Sequence, residues 1–229
     1  MVEIGKYLHP KSIGIILSFV ALVAIADNIP VFKVVGSERV FTLFQFFGPT
    51  IGGFLGPGLG SMVILAAEVF SFIFNSKALT LQSALLFLPM VFATIYFSLY
   101  SRKIKVGAIV PLVCIVLFVL HPVGSEAWQF SLLWFIPLIS MLLPNNIFLR
   151  SLGATFSAHA VGGTIWIYTF NTTPYYWLVE VGILRVILER LVFAGGIAVS
   201  YYFLTTVASK VEFLRKVNFV NIDMHYSLF

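Results

Sequence analysis

Gly48-Pro49-Thr50-Ile51-Gly52-Gly53-Phe54-Leu55-Gly56-Pro57-Gly58-Leu59-Gly60-Ser61 is the stretch whose reading decides the fold. Six glycines and two prolines fall within fourteen residues without one charge, inside an apolar run from Phe41 to Phe74. A solvated linker would be polar. Lipid offers backbone groups no water, so a helix breaks at membrane depth only where protein or a wet cavity covers the break. Residues 41–55 and 58–74 are therefore expected to form two short helices meeting at a Gly56-Pro57-Gly58 turn. Gly52, Gly56 and Gly60 recur every four residues, a spacing that lets helix backbones approach closely.

The rest of the chain has the same character. Of its 229 residues, 60% are hydrophobic and 10% charged, against about 25% charged in a soluble domain, and the mean hydropathy is +1.02. The expected fold class is all-α: a polytopic integral membrane protein, with 1–229 as a single transmembrane domain. The lone cysteine, Cys114, lies in an apolar run, which leaves neither a disulfide framework nor a cysteine metal cluster. A net charge of +5 does not point to nucleic acid, because the basic residues concentrate in short connections and tails.

Apolar segments fall at 12–26, 41–55, 58–74, 79–100, 106–120, 127–143, 147–170 and 178–207. A crossing needs about twenty apolar residues, and 41–55, 106–120 and 127–143 are short, the last two interrupted near Pro111 and Pro137. Six to eight transmembrane or re-entrant helices are expected. Cytoplasmic loops carry the Lys and Arg excess. With the N-terminus inside, Lys6, Lys11, Arg102, Lys103, Lys105, Arg150, Lys210, Arg215 and Lys216 fall on the inner side, and only Lys33, Arg39 and Lys77 on the outer. That places the protein in the cell membrane with both termini cytoplasmic.

Ionisable groups inside a span are costly and mark function or specific pairing. They are Glu68, His159, Arg185, Glu189 and Arg190. Arg185 and Glu189 are four apart, which predicts an intrahelical ion pair. Arg190 points about 100° away and needs another partner, such as Glu68 or a helix-end carbonyl. Glu68, Glu189 and Arg190 read as structural intramembrane polar residues. His159, Gly163, Trp166 and Phe170 share a helix face that can line a pocket, and Gly153, Ser157, Ala160 and Thr164 form a small-residue packing stripe. Tyr175, Tyr176 and Trp177 fit a membrane-interface belt.

Enzyme motifs are missing: there is no H-E-x-x-H, no phosphate loop and no Gly-x-Ser-x-Gly elbow. A non-enzymatic role without cofactor or metal is expected.

The basic N-terminus and first helix, the polar loop, Thr42-Leu43-Phe44-Gln45 and the run Gly52-Gly53-Phe54-Leu55-Gly56-Pro57-Gly58-Leu59-Gly60 together resemble the N-terminal half of S-components, the substrate-binding membrane subunits of energy-coupling factor (ECF) transporters, the biotin type especially. The resemblance covers about residues 12–75. His159-Ala160-Val161-Gly162-Gly163, Thr173-Pro174 and Leu188-Glu189-Arg190-Leu191 are compatible with it. The chain differs in having eight apolar segments where the family commonly has six helices. Its first helix offers Gly14-x-x-x-Ser18 in place of the family's Ala-x-x-x-Ala.

The resemblance implies uptake of a vitamin or other small molecule, energised in trans by partner ATPases through a coupling membrane protein. It also implies a pocket opening outward, for which Gln45, Trp128, His159, Trp166, Asn171, Glu180 and Arg185 are the candidate substrate-binding residues, Arg185 suiting a carboxylate or phosphate. The alternatives are a stand-alone secondary transporter or channel, and an intramembrane enzyme or assembly subunit.

Overall fold

The computed structural model describes residues 10–33, 40–75, 80–101 and 105–227. About 84% of the chain is helical, so the fold is all-α, with one two-stranded ribbon among the described residues. The side chains of Lys6, Lys11, Lys33, Arg39, Lys77, Arg102, Lys103 and Lys105, which carry much of the expected charge asymmetry, lie outside the described ones.

Helix α1 (Pro10–Asp27) opens on a proline, where a missing N–H costs nothing. It closes where the Asn28 side chain donates to the Ala24 carbonyl at 2.8 Å. Strands β1 (Pro30–Lys33) and β2 (Val40–Thr42) pair antiparallel. They deliver the chain into α2 (Phe44–Phe74), which is broken at Gly56, with φ 79° and ψ 176°. Only glycine adopts that backbone readily.

The break makes α2 a hairpin. A Cβ at Gly60 would lie 3.0 Å from the Gly52 Cα, whereas eight residues of straight helix would separate them by about 12 Å. Residues 44–55 and 57–74 therefore run antiparallel in contact, as the sequence predicts. Gly52 also meets the next helix so closely that a Cβ there would fall 2.2 Å from the Thr94 carbonyl oxygen.

Helix α3 (Leu81–Leu85) starts at a reciprocal Thr80–Ser83 cap and leads into α4 (Leu88–Ser101). After a 3-10 turn at Lys105–Ala108 comes α5 (Ile109–Leu120), which is not interrupted at Pro111 as expected. The proline falls in its first turn, where no intrahelical N–H bond is lost. The 127–143 segment is broken into α7 (Trp128–Ser131), a 3-10 turn at Leu132–Phe135 and α8 (Ile136–Leu142), preceded by the short α6 (Pro122–Glu126).

Asn146 caps α9 (Ile147–Thr169), accepting from the Phe148 N–H at 2.7 Å. A π-helical turn at Tyr176–Gly182 precedes α10 (Ile183–Lys210), and α11 (Glu212–Arg215) follows it.

Side-chain registers give the directions. Phe46 meets Phe193 and Phe54 meets Tyr201, so the first arm of α2 runs parallel to α10. Thr164 and Tyr168 donate to the carbonyls of Cys114 and Leu117, so α5 runs parallel to α9. Tyr96 and Tyr100 donate to Pro137 and Pro144, so α4 and α8 run together. Gly153 abuts Tyr96 while Gly162 abuts Pro89, so α9 opposes α4. Among the described residues, eight helical runs thus alternate in direction. The start of α1 and the end of α10 lie at the same end of the bundle.

By length and composition two stretches, 44–74 and 81–100, are apolar enough to cross a membrane, the first of them folded back at Gly56 into arms 44–55 and 57–74. Helix α9 is the hub, packed against α4, α5, α8 and α10. One core cluster joins α1, α2, α4, α9 and α10, and a second, rich in aromatics, gathers Phe118, Phe130, Trp134, Phe156 and Trp177.

Candidate functional site

The hairpin, α4, α9 and α10 line a cavity of about 150 Å³ in the half of the bundle that carries the β-ribbon. Its wall includes Phe41, Phe44, Gln45, Pro49, Glu68, Pro89, Met90, Thr155, Ala158, Arg190 and Phe193. Gln45 and Glu68 reach the same space only because α2 turns back at Gly56. In a straight helix, 23 residues would hold them about 34 Å apart.

Gln45, Thr155 and Arg190 are each placed in the wall by hydrogen bonds. Gln45 Oε1 accepts from the Thr42 N–H at 2.7 Å, fixing the side chain at the start of the hairpin. Arg190 Nη2 donates to Glu189 at 2.9 Å, and its Nη1 donates to the Thr155 hydroxyl at 3.3 Å. The guanidinium lies 4.5 Å from the Phe193 ring centre and 5.7 Å from that of Phe41. Its Nε is buried without a hydrogen-bond partner.

Glu68 is different: its Oε2 is buried and unpartnered, and among the described residues its carboxylate forms no ion pair. The charged side chain acting on it through space is another acid, Asp27. Asp27 in turn accepts from the hydroxyls of Ser71 and, at 3.3 Å, Thr42, tying α1 to the hairpin.

The expected ion pair between Arg185 and Glu189 is replaced. Glu189 pairs with its neighbour Arg190, and Arg185 Nη1 donates to the Glu180 carbonyl at 2.6 Å. The reason is local. The π-helical turn ends at Gly182, with φ 70°, and leaves the Glu180 carbonyl available to the first exposed cation of α10. Arg150, expected in an inner connection, is instead buried in the first turn of α9. It donates from Nε to the Phe97 carbonyl at 2.7 Å, its guanidinium 3.8 Å from the Phe97 ring centre.

Of the expected pocket residues, only Gln45 lines the cavity, joined there by Glu68 and Arg190, expected to be structural. Trp128 is 48% exposed on α7. His159 faces the aromatic cluster and accepts from Trp134 Nε1 at 3.0 Å through Nδ1. Its face of α9 is not open as expected, because Trp134 fills the space beside Gly163. Trp166 stacks on Phe170 at 3.9 Å. Asn171, Glu180 and Arg185 are exposed. Trp177, expected at an interface, is buried between Phe118 and Phe130.

Sequence reasoning missed Thr155 and the three phenylalanines of the wall. Thr155 stands one helical turn before His159, but His159 faces the aromatic cluster and so gives no signal for the cavity. Phe41, Phe44 and Phe193 carry none, being three of 24 phenylalanines.

Chemically, the cavity joins one unpaired carboxylate, one neutralised guanidinium, a hydroxyl, an amide and aromatic walls, which suits binding of a small solute. Compared with known proteins, the chain matches no family model, no curated protein and no solved structure.

Proposed function

We propose that this chain is the substrate-binding subunit of a membrane uptake system for a vitamin or other small molecule, energised in trans by ATP-binding partners through a coupling membrane protein. It binds rather than transforms its substrate. It spans the cell membrane several times, with both termini in the cytoplasm.

The observation that carries the reading is the cavity lined by Gln45, Glu68 and Arg190. Small-molecule sites are concave and apolar with a few convergent polar groups, and ionisable groups at membrane depth mark substrate paths. Support for the membrane setting comes from the apolar hairpin 44–74, the apolar stretch 81–100 and the outer faces of the helices. There Met62, Ile73, Phe74, Leu184, Val199 and Phe203 are all more than half exposed, a covering that suits lipid. Lys210, Arg215 and Lys216 lie at the end of the bundle where α1 begins, in keeping with a cytoplasmic face. The resemblance of residues 12–75 to ECF S-components adds the mode of energisation.

One observation favours a second reading. The unpaired Glu68 carboxylate also fits a proton-coupled carrier that works alone, since such relays use intramembrane acids. Partner dependence separates the two. The C-terminally tagged protein, extracted gently from native membranes, is expected to co-purify with a pair of ATP-binding proteins and a second multi-pass protein. Liposomes holding the chain alone should bind solute without accumulating it. Accumulation driven by a proton gradient in those liposomes would replace the first reading by the second.

A further inference from the structure

Among the described residues the cavity holds one acid, Glu68, with no cation paired to it, and that narrows the ligand. Arg190 is matched by Glu189 at 2.9 Å, so that pair is neutral. Among the described residues Glu68 has no such match: its Oε2 is buried without a partner, and Asp27, which also acts on it through space, is a second acid. A buried carboxylate is costly to keep ionised without a partner, and a bound cation is a partner that lowers the cost.

The lining is also aromatic: Phe41, Phe44 and Phe193 border the space, and ring faces attract cations. Phe41 and Phe193 already flank one cation, the Arg190 guanidinium. The volume, about 150 Å³, is that of a cavity known to admit a single benzene ring.

We propose that the cavity binds an organic cation about the size of one substituted ring. Its ammonium or other cationic nitrogen is held by the Glu68 carboxylate, and its apolar body lies against Phe41, Phe44 and Phe193. The proposal rests on the binding-subunit reading and names the substrate class for that site. It reverses the expectation drawn from Arg185, because the exposed Arg185 is not in the cavity and the cation that is there is already neutralised.

Three probes of nearly equal size and different charge test it: benzylammonium, benzyl alcohol and benzoate. Each is titrated at neutral pH into the intact protein in nanodiscs of neutral lipid, with calorimetry as the readout. Benzylammonium is expected to bind at least about tenfold more tightly than the other two, the separation that one charge-assisted contact supplies. Glu68→Gln should remove that preference, and Ala158→Leu, which fills the cavity while leaving every charge in place, should remove binding altogether.

Should Glu68→Gln fail to fold, the wild-type charge preference and Ala158→Leu still decide the matter. Preference for benzoate, abolished by Ala158→Leu, would overturn the cationic class while leaving the binding site standing. Benzylammonium binding that survives both substitutions would place the ligand elsewhere and overturn the proposal. Absence of binding by all three probes would overturn it together with the cavity reading.

Discussion

Asn221, in the segment after α11, donates its backbone N–H to the Phe54 carbonyl at 2.7 Å, and its side-chain amide reaches the Gly53 carbonyl at 3.4 Å. Those are two of the carbonyls that the α2 break strands. In an unbroken helix Gly53 would be served by residue 57, which is a proline without an N–H, and Phe54 by residue 58, which lies beyond the kink. A residue 168 positions after Gly53 thus closes hydrogen bonds of the hairpin that organises the fold.

Replacing that donor should therefore loosen the hairpin. Asn221→Pro removes the N–H and leaves the Phe54 carbonyl buried and unpaired, at a cost of about 1–3 kcal/mol. Asn221→Ala loses only the longer amide contact and should cost less than about 1 kcal/mol. Thermal unfolding in detergent, followed by intrinsic tryptophan fluorescence, gives the order. A proline variant as stable as the wild type would mean that the tail does not support the break.

The hairpin also ranks its glycines. Gly52→Ala drives a Cβ to 2.2 Å from the Thr94 carbonyl oxygen, backbone against backbone, with no flexible side chain to yield. The expected loss is about 3 kcal/mol, at the upper end for overpacking. Gly58→Ala, with nothing within 4 Å of the new Cβ, should change stability by no more than about 0.5 kcal/mol. Equal loss at both positions would contradict the folded-back geometry.

These contacts show why part of the fold is legible in the sequence and part is not. The hairpin is legible because glycine and proline act locally: Gly56 sets its own φ, and Pro57 withholds its own N–H. The Gly153, Ser157, Ala160 and Thr164 stripe is legible for the same reason, since helical periodicity alone puts these buried residues on one side of α9. Arg185 was not legible, because its partner is a carbonyl exposed by a π-helical turn that leaves no residue pattern.

The site followed the same division. Glu68 stood out by charge, but nothing local says that it lacks a cation while Arg190 has found Glu189. That depends on which helices meet across the cavity. Gln45 was found through the motif at the start of the hairpin, whereas Phe41, Phe44 and Phe193 became wall residues only when α2 and α10 came together.

The exchange of ion-pair partners on α10 is open to direct test. Glu189→Gln leaves the Arg190 guanidinium, 10% exposed, without its counter-charge, and should cost about 1.5–3 kcal/mol. Arg185→Ala removes an exposed side chain bonded to one carbonyl and should cost no more than about 0.5 kcal/mol. Were the i, i+4 pair the one formed, the two substitutions would cost about the same, and chemical unfolding of both variants distinguishes these outcomes.

His159 supplies the last case, because it separates a structural role from a ligand-binding one. Its Nδ1 accepts from Trp134 Nε1 at 3.0 Å, so neutral imidazole carries its proton on Nε2, the tautomer the bond requires. Phe130, Trp134 and Phe156 crowd the ring at 5.6, 6.2 and 6.2 Å between centres. His159→Phe keeps the packing but strands the indole N–H, which has no other use in an apolar cluster, and about 1–3 kcal/mol of stability should be lost. Adding Trp134→Phe removes the stranded donor, so the double variant should recover part of that loss, with a coupling of at least about 0.5 kcal/mol. Benzylammonium affinity should stay within about threefold of wild type in His159→Phe, since the change in question is a lost packing bond and not a lost ligand contact. A tenfold fall in affinity with stability unchanged would move His159 from the aromatic cluster's support into the binding site.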